Sequence, residues 1–430
     1  MTRPPPLPPL PSVTQAPWSG MNLPGLVKGG ATLRAGAPAL VEAEGLETLM
    51  GRPARQISCR DLGLAVDTLA LRLRTLGIRP GEVVITHLPN TAEALISLIA
   101  IQKLGALPAP LPVFADASEI AEAASLVRAT ALISITEFAG IRGADAARAA
   151  AAASMDVRLV AAFGAGVPEG VAGLDDWPEV AHLGKAGFPK LDGNLPAVIT
   201  FDRIGGALRA LLRSHEQLVA EAAGIASQAR VNAGTRLIMP LPPASTAGIV
   251  LGIALPLLAG AELNLIPLFD SCRFAELLGS GERTTVILPA AAAASYENHS
   301  AERATKAESL VLVHRPQPGE ALDATAAASR DARLIDLICL GEALLIASAR
   351  AVHAAPGQLA LRAAAGMPGI LAGDKPGYGL TLGRQGTIEA RGPLVPQAPA
   401  GAGDRLDTGF YALQADRRLI LGARAATSAA

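Results

Sequence analysis

Sulfur, aromatic rings and charge are all scarce in this chain. Its three cysteines, Cys59, Cys272 and Cys339, stand too far apart for a disulfide framework or a metal knuckle. Free thiols in a reducing, cytoplasmic setting are the expectation. Aromatic residues make up 3% and charged ones 17%, and 37 Lys and Arg offset 38 Asp and Glu to leave a net charge of −1. Nucleic acid and anionic membranes both demand a local excess of Lys or Arg, so neither is expected as a partner. The opening MTRPPPLPPLPSVTQAPW has no apolar segment of the kind a secretory signal needs. Long hydrophobic runs are also missing. The uncharged stretch from Leu237 to Ala261 is broken by Pro240, Pro242, Pro243 and Pro256. Its continuous apolar part, AGIVLGIALPLLAGA, falls short of the ~20 residues of a membrane span and predicts a buried core helix.

What is abundant is apolar side chain: 50% of 430 residues, with mean hydropathy +0.36. That suffices for a large core and two or three domains. Residues 1–25 form a Pro-rich leader expected to be disordered, with Arg3, Pro6 and Pro9 in an R-x-x-P-x-x-P spacing. From Ser58 the pattern is regular. Ser58 and Asp61 are spaced as a capping box, Leu62, Val66, Leu69 and Leu73 mark one helical face, and Gly77 supplies the stop. The strand EVVITHL, the helix NTAEALISLIAIQKLG, the extended ALPAPLP, a helix over 118–129 and the strand ALISI follow. Strands alternating with helices predict parallel sheets with helices on their faces, hence an α/β fold. Residues 26–190 are assigned to a first α/β subdomain, 191–370 to a second, 371–424 to a small β-rich subdomain and 425–430 to a tail. In LPAVITFDRIGGALRALLRSHEQL, a strand, a Gly pair and a leucine-spaced helix are expected in succession, a layout that cradles phosphate in many nucleotide enzymes.

The segment GIRPGEVVITHLPNTAEALISLIAIQKLGALPAPL, Gly77 to Leu111, closely resembles the N-terminal part of the adenylate-forming enzymes, which include acyl-CoA synthetases, aryl-acid ligases and adenylation domains of peptide synthetases. MPLPPASTAGIVLGIALPLLAGAEL, CLGEAL, GTIEARGPLV and RLDTGFYALQADRRLILGAR resemble later blocks of that family, in the family's order. The resemblance runs from about Leu33 to Arg424. It implies the large N-terminal domain of that fold, with two stacked parallel-sheet subdomains and a smaller β-rich one. It also implies a chemistry in which a carboxylate attacks the α-phosphate of ATP and the acyl-adenylate passes to a thiol.

Several groups that this chemistry needs are replaced. The family's Ser/Thr/Gly loop wraps phosphates with hydroxyls, backbone N–H groups and a Lys. Here only Thr200, Gly205 and Gly206 could serve, and Asp202 adds a negative charge that Arg203 offsets in part. Lys190, in GKAGFPKLDG, precedes the strand, whereas ligands of such sheets sit at the carboxyl end. The Asp expected to hold the ribose after Thr408 and Gly409 is Phe410, the aromatic-His pair beside the acyl pocket is Ala244-Ser245, and the block with a metal-holding Glu has no convincing counterpart, PGYGLTL lying too close to GTIEARGP and offering Leu382 in its place. The family's C-terminal domain, which carries the catalytic Lys, is expected to be absent after LILGARAATSAA.

The expectation is therefore a pseudoenzyme without catalytic residues, metal or cofactor, its ATP and Mg²⁺ sites lost. Thr200, Gly205 and Gly206 would be a degenerate phosphate loop, and Thr408 and Phe410 a degenerate ribose site. Ser245, Thr246, Gly248, Gly341, Glu342 and Ala343 would border a pocket for an acyl or aryl carboxylate or thioester. An acyl carrier protein or a complete homologous ligase is the expected partner. The alternative is a working acyl-CoA synthetase-like ligase component with altered chemistry or a C-terminal domain supplied in trans. His215, His314 and His353 have no Ser, Asp or Cys partner at motif spacing, so no hydrolase centre is expected.

Overall fold

In a computed structural model, described for residues 18–175, 187–278, 283–293, 296, 307–316, 332–350, 369–370, 379–382, 387–397, 406–415 and 418–421, the chain forms two mainly parallel sheets. Most of the Pro-rich leader, His353, Tyr378 and the tail after Leu421 lie outside the described residues. The leader ends earlier than expected, because a helix begins at Leu23 with the Asn22 side chain accepting from the Gly25 N–H.

Strand β1 (Pro38–Glu42) pairs antiparallel with β2 (Gln56–Ser58). A five-stranded parallel sheet follows, from β3 (Val83–His87), β4 (Leu107–Leu111), β5 (Ala131–Ile135), β6 (Leu159–Phe163) and β7 (Ala172–Gly173), in the spatial order β4-β3-β5-β6-β7. Helices Cys59–Thr75, Ala92–Lys103, Ala117–Val127 and Gly143–Ala152 alternate with these strands and supply the crossover connections that parallel neighbours need. Ser58 caps the first of them by accepting from the Asp61 N–H.

Pro196–Ile204 (β8) and Ala207–Ser214 (β9) form an antiparallel hairpin, with Ile204 paired to Ala207 across the Gly205-Gly206 turn. This corrects the expected strand, Gly pair and helix. Both glycines have positive φ, 58° and 88°, as a two-residue primed hairpin turn requires. The helix starts only at His215, where Ser214 and Gln217 make a reciprocal capping box.

A second sheet collects β10 (Arg236–Met239), β11 (Glu262–Leu265), β12 (Thr284–Pro289), β13 (Ser309–His314), β14 (Arg333–Leu340) and β15 (Leu344–Ala349). Its order is β15-β14-β13-β12-β10-β11-β1-β2, so the first two strands of the chain complete the far sheet. The division expected at residue 190 therefore does not separate the sheets. Short strands β16 (Gly369–Ile370), β17 (Gly379–Leu382), β18 (Thr387–Arg391), β19 (Leu406–Ala415) and β20 (Arg418–Leu421) make an antiparallel sheet. Leu382 pairs with Ile388 there.

The main core lies between the two parallel sheets. Val84 and Ile133 of one sheet join Leu40, Leu237, Leu263 and Ile335 of the other, while Ile85 and Leu132 face a separate cluster under the outer helices. The apolar stretch after Ser245 is a buried helical run, Thr246–Ile249 continuing through a π-helical turn, Val250–Ala254, into Leu255–Ala259. No helix among the described residues is long and apolar enough to cross a membrane.

Candidate functional site

The hairpin's β8 strand, the carboxyl ends of β13 and β14 and the middle of β19 meet around a cavity of about 250 Å³. Phe201, Asp202, Arg203 and Ile204 line it from the hairpin, Arg315 and Pro316 from behind β13, and Gly341, Glu342, Thr408 and Phe410 from the far side. Four of the expected site residues are thus brought together from two stretches of sequence. Gly341 turns the chain between β14 and β15 with φ +55°, and a Cβ there would stand 2.9 Å from an Asp202 carboxylate oxygen. The glycine lets the strand turn close against the hairpin.

The charges around this cavity are spent on one another. Arg209 donates from Nε and Nη2 to the two carboxylate oxygens of Asp202, both at 2.9 Å, and from Nη1 to the Asp407 carbonyl at 2.6 Å. Such a fork-to-carboxylate pair is the strong form of an Arg–Asp contact. Arg203 pairs instead with Glu122, so the expected partner of Asp202 is corrected from Arg203 to Arg209. Glu342 accepts from the Thr246 N–H and from Arg315 at 3.3 Å. Its own N–H donates to Asp202 at 3.3 Å. Phe410 is buried, and its ring offers no acceptor to a ribose hydroxyl, while the Thr408 hydroxyl is committed to the Ile388 carbonyl at 2.8 Å.

The remaining expected residues fall elsewhere. Thr200 lies beneath the cavity, fully buried, its hydroxyl 3.3 Å from that of Thr246. Gly205 and Gly206 occupy the hairpin tip, with open space where a Cβ would project. The room expected at Thr246, Ala247 and Gly248 is not there. Ser245 caps the helix by accepting from the Gly248 N–H at 3.1 Å, and a Cβ on Gly248 would stand 2.0 Å from the Pro242 carbonyl oxygen. These small residues serve close packing. Ala343 is buried as well, and its carbonyl accepts from Arg213.

Arg213 is the residue that motif reading missed. Fully buried near the end of β9, it donates to the carbonyls of Glu342 at 3.0 Å, Ala343 at 2.8 Å and Leu394 at 3.1 Å, and to Glu221 Oε1 at 3.1 Å. The guanidinium ties the hairpin, the helix His215–Ala229, the turn beside the cavity and the loop after β18 into one unit. The signal was present: an arginine in the apolar run ALLRS, one residue before a helix cap, must find partners or be unaffordable in a core. Burial pushes the Glu221 carboxyl up to about 7, against the opposing pull of Arg213. Burial also pushes the Cys339 thiol up to about 12, so that thiol beside the cavity stays protonated and non-nucleophilic at neutral pH.

His314 has an acidic partner 22 residues away, outside any motif spacing. Its Nε2 lies 2.8 Å from Asp336, which also accepts from Arg350 through Nε at 2.8 Å. The pair spans neighbouring strands β13 and β14. Asp336, buried, is held below the usual carboxylate range by His314 and Arg350, which together outweigh the opposing effect of burial.

Residues 31–201 match the family of AMP-binding enzymes. A stretch of 91 residues is 38% identical to enterobactin synthase component E of Escherichia coli K12, covering 21% of this chain and 17% of that protein. In solved structures the fold recurs in the anthranilate CoA ligase AuaEII in complex with anthranoyl-AMP (TM-score 0.73, 17% identity, 94% of this chain and 78% of that one). It recurs again in the Klebsiella oxytoca NpsA N-terminal subdomain in complex with anthranilyl-AMSN (TM-score 0.63, 16% identity, 94% and 99%). The match to AMP-binding enzymes over residues 31–201 and the α/β architecture shared with these ligases over 94% of the chain agree with the motifs in their order, and the fold is that of the N-terminal domain of adenylate-forming enzymes.

Proposed function

We propose that this adenylate-forming, ligase-like domain is a pseudoenzyme, unable to make an acyl-adenylate and retained as a cytoplasmic ligand-binding or protein-interaction module. The observation that carries this reading is the closed ion-pair circuit around the cavity. Asp202 is taken by Arg209, Glu342 by Arg315 and a helix N–H, and Arg203 by Glu122, so among the described residues the cavity offers a triphosphate no unpaired cation beside a negative Asp202. A two-residue turn replaces a wrapping loop, and the family match ends at residue 201, where the hairpin enters the cavity. These residues do not fit ATP with Mg²⁺.

AuaEII and the NpsA subdomain are named with anthranoyl-AMP and anthranilyl-AMSN. An aryl or acyl carboxylate without its nucleotide is accordingly the ligand proposed here, with an acyl carrier protein or a complete homologous ligase as partner. The test is ATP–pyrophosphate exchange with a panel of carboxylates that includes anthranilate, run beside a thermal-shift titration. Expected are exchange at the level of the protein-free control and a melting shift with a carboxylate but none with Mg-ATP. Exchange above that control would replace this reading with a ligase component that uses a C-terminal domain in trans.

A further inference from the structure

A larger cavity than the one that carries the family motifs opens elsewhere among the described residues. It measures about 760 Å³ and opens beyond the carboxyl ends of β5 and β6, against the helix Leu46–Met50 and the edge strand β2. Carboxyl ends of parallel strands are where open α/β sheets receive ligands. The volume lies in the range of small-molecule sites. Its floor is apolar, with Leu49, Met50, Ile57, Ile96 and Phe163 contributing.

Its electrostatics are one-sided. Five acidic and two basic side chains line it. Both bases are already matched: Arg52 pairs with Glu42 at 2.7 Å and with Glu93 at 2.6 Å, and Arg55 with Glu93 at 2.7 Å. The remaining carboxylates, Glu47, Asp61, Glu137 and Asp175, stand exposed at the rim. Asp61 bonds the Ser58 hydroxyl and Asp175 accepts from the Gly164 N–H, whereas Glu47 and Glu137 make no ion pair with any described residue. Excess negative charge around a low-dielectric concavity focuses potential into it and selects a cation.

From the apolar floor and the acid rim together we infer that this cavity is a binding site for a small amphiphilic amine. Its alkyl or aryl body would lie against Phe163 and Ile96, and its ammonium would sit at the rim between Glu47 and Glu137. The charge provides selectivity and the body provides most of the buried surface.

Phenethylammonium is the probe, with 2-phenylethanol as its uncharged counterpart, each titrated into the full chain by calorimetry. Saturable binding of the amine, weaker binding of the alcohol and weakening of the amine by salt are expected. Glu47→Gln with Glu137→Gln should weaken the amine about tenfold, the size expected for two partly solvated charges, and leave the alcohol unchanged. Both side chains are exposed and uncommitted, so the double variant should keep the parent melting temperature, which is measured alongside. No saturable binding at millimolar amine, equal affinity for the alcohol, or an affinity unmoved by the double variant would each overturn the proposal.

Discussion

Two positions on β8, two residues apart, stand in different surroundings. At Thr200 the surroundings are intact: a hydroxyl pair with Thr246, a capped helix at Ser214, and a buried Arg213 beneath the turn at Gly341. At Asp202 they are of another kind, with Arg209, Phe410 and the Gly205-Gly206 tip around an open cavity. The floor holds the fold together and tolerates little change. The rim contributes little to the core, so exchanging its residues should not unfold the chain. If that contrast is sound, substitutions in the floor should be costly and those at the rim inexpensive.

The largest effect is expected at Arg213. Arg213→Met keeps the length of the side chain but strips donors from three carbonyls and leaves Glu221 alone in the core. Breaking a buried, hydrogen-bonded charge in this way costs about 3–5 kcal/mol, read by urea unfolding. Adding Glu221→Gln should return part of that loss, because the orphaned acid contributes to it. A loss below about 1 kcal/mol for Arg213→Met, within the range of ordinary surface changes, would break the contrast.

Two neighbouring floor residues sharpen it through pH. Burial pushes Glu221 up from 4.5 to about 7 and His215 down from 6.5 to about 3. His215 accepts from the Leu23 N–H at 3.4 Å, which fits the neutral ring. Between pH 4.5 and 7 the folded chain keeps a proton on Glu221 that the unfolded chain has released, so this group's contribution to stability falls as pH rises. Between pH 3 and 6.5 the unfolded chain carries a proton on His215 that the folded chain refuses, so that contribution rises with pH. From pH 4.5 to 6.5 the two oppose each other, and the parent should be nearly flat with respect to them. Glu221→Gln should uncover stability lost on acidification below pH 6.5, and His215→Asn stability lost on alkalinisation from pH 4.5 to 7. Each slope approaches about 1.4 kcal/mol per pH unit. Equal slopes in both variants would show that neither group titrates as its burial requires.

The same floor and rim differ in how legible they were. Capping at Ser58, the strand VVITH and the buried helix after Ser245 follow from spacing alone, because each is decided by neighbours a few residues away. The segment ALRALLRS misled because both of its faces are buried. Ala210 and Leu212 pack into one apolar cluster and Leu211 into another, so an alternating strand and a leucine-spaced helix fit the same letters. The pairing of β1 with β11 and the His314–Asp336 contact join segments that only the finished sheet brings together, and local pattern holds no trace of either. At the cavity, Phe410 and Gly341 were legible through family motifs, but the Arg209 partnership of Asp202 follows from hairpin register, Asp202 opposite Arg209.

The smallest effect is expected at the hairpin tip. Gly206 has φ +88° and nothing within 4 Å of where a Cβ would lie, so Gly206→Ala meets only its own backbone preference. A left-handed conformation costs an L-residue about 1–2 kcal/mol, and no packing change adds to it. A tip that still gripped phosphate through its N–H groups would respond differently, with the alanine methyl blocking the approach of an anion and lowering nucleotide affinity as well as stability. For the structure described, urea unfolding of Gly206→Ala should show the strain alone, and any melting shift produced by a carboxylate should match that of the parent. A drop well beyond about 2 kcal/mol, or a nucleotide response present in the parent and absent in the variant, would mean that the tip still belongs to a working site and that the exchange of residues stopped short of it.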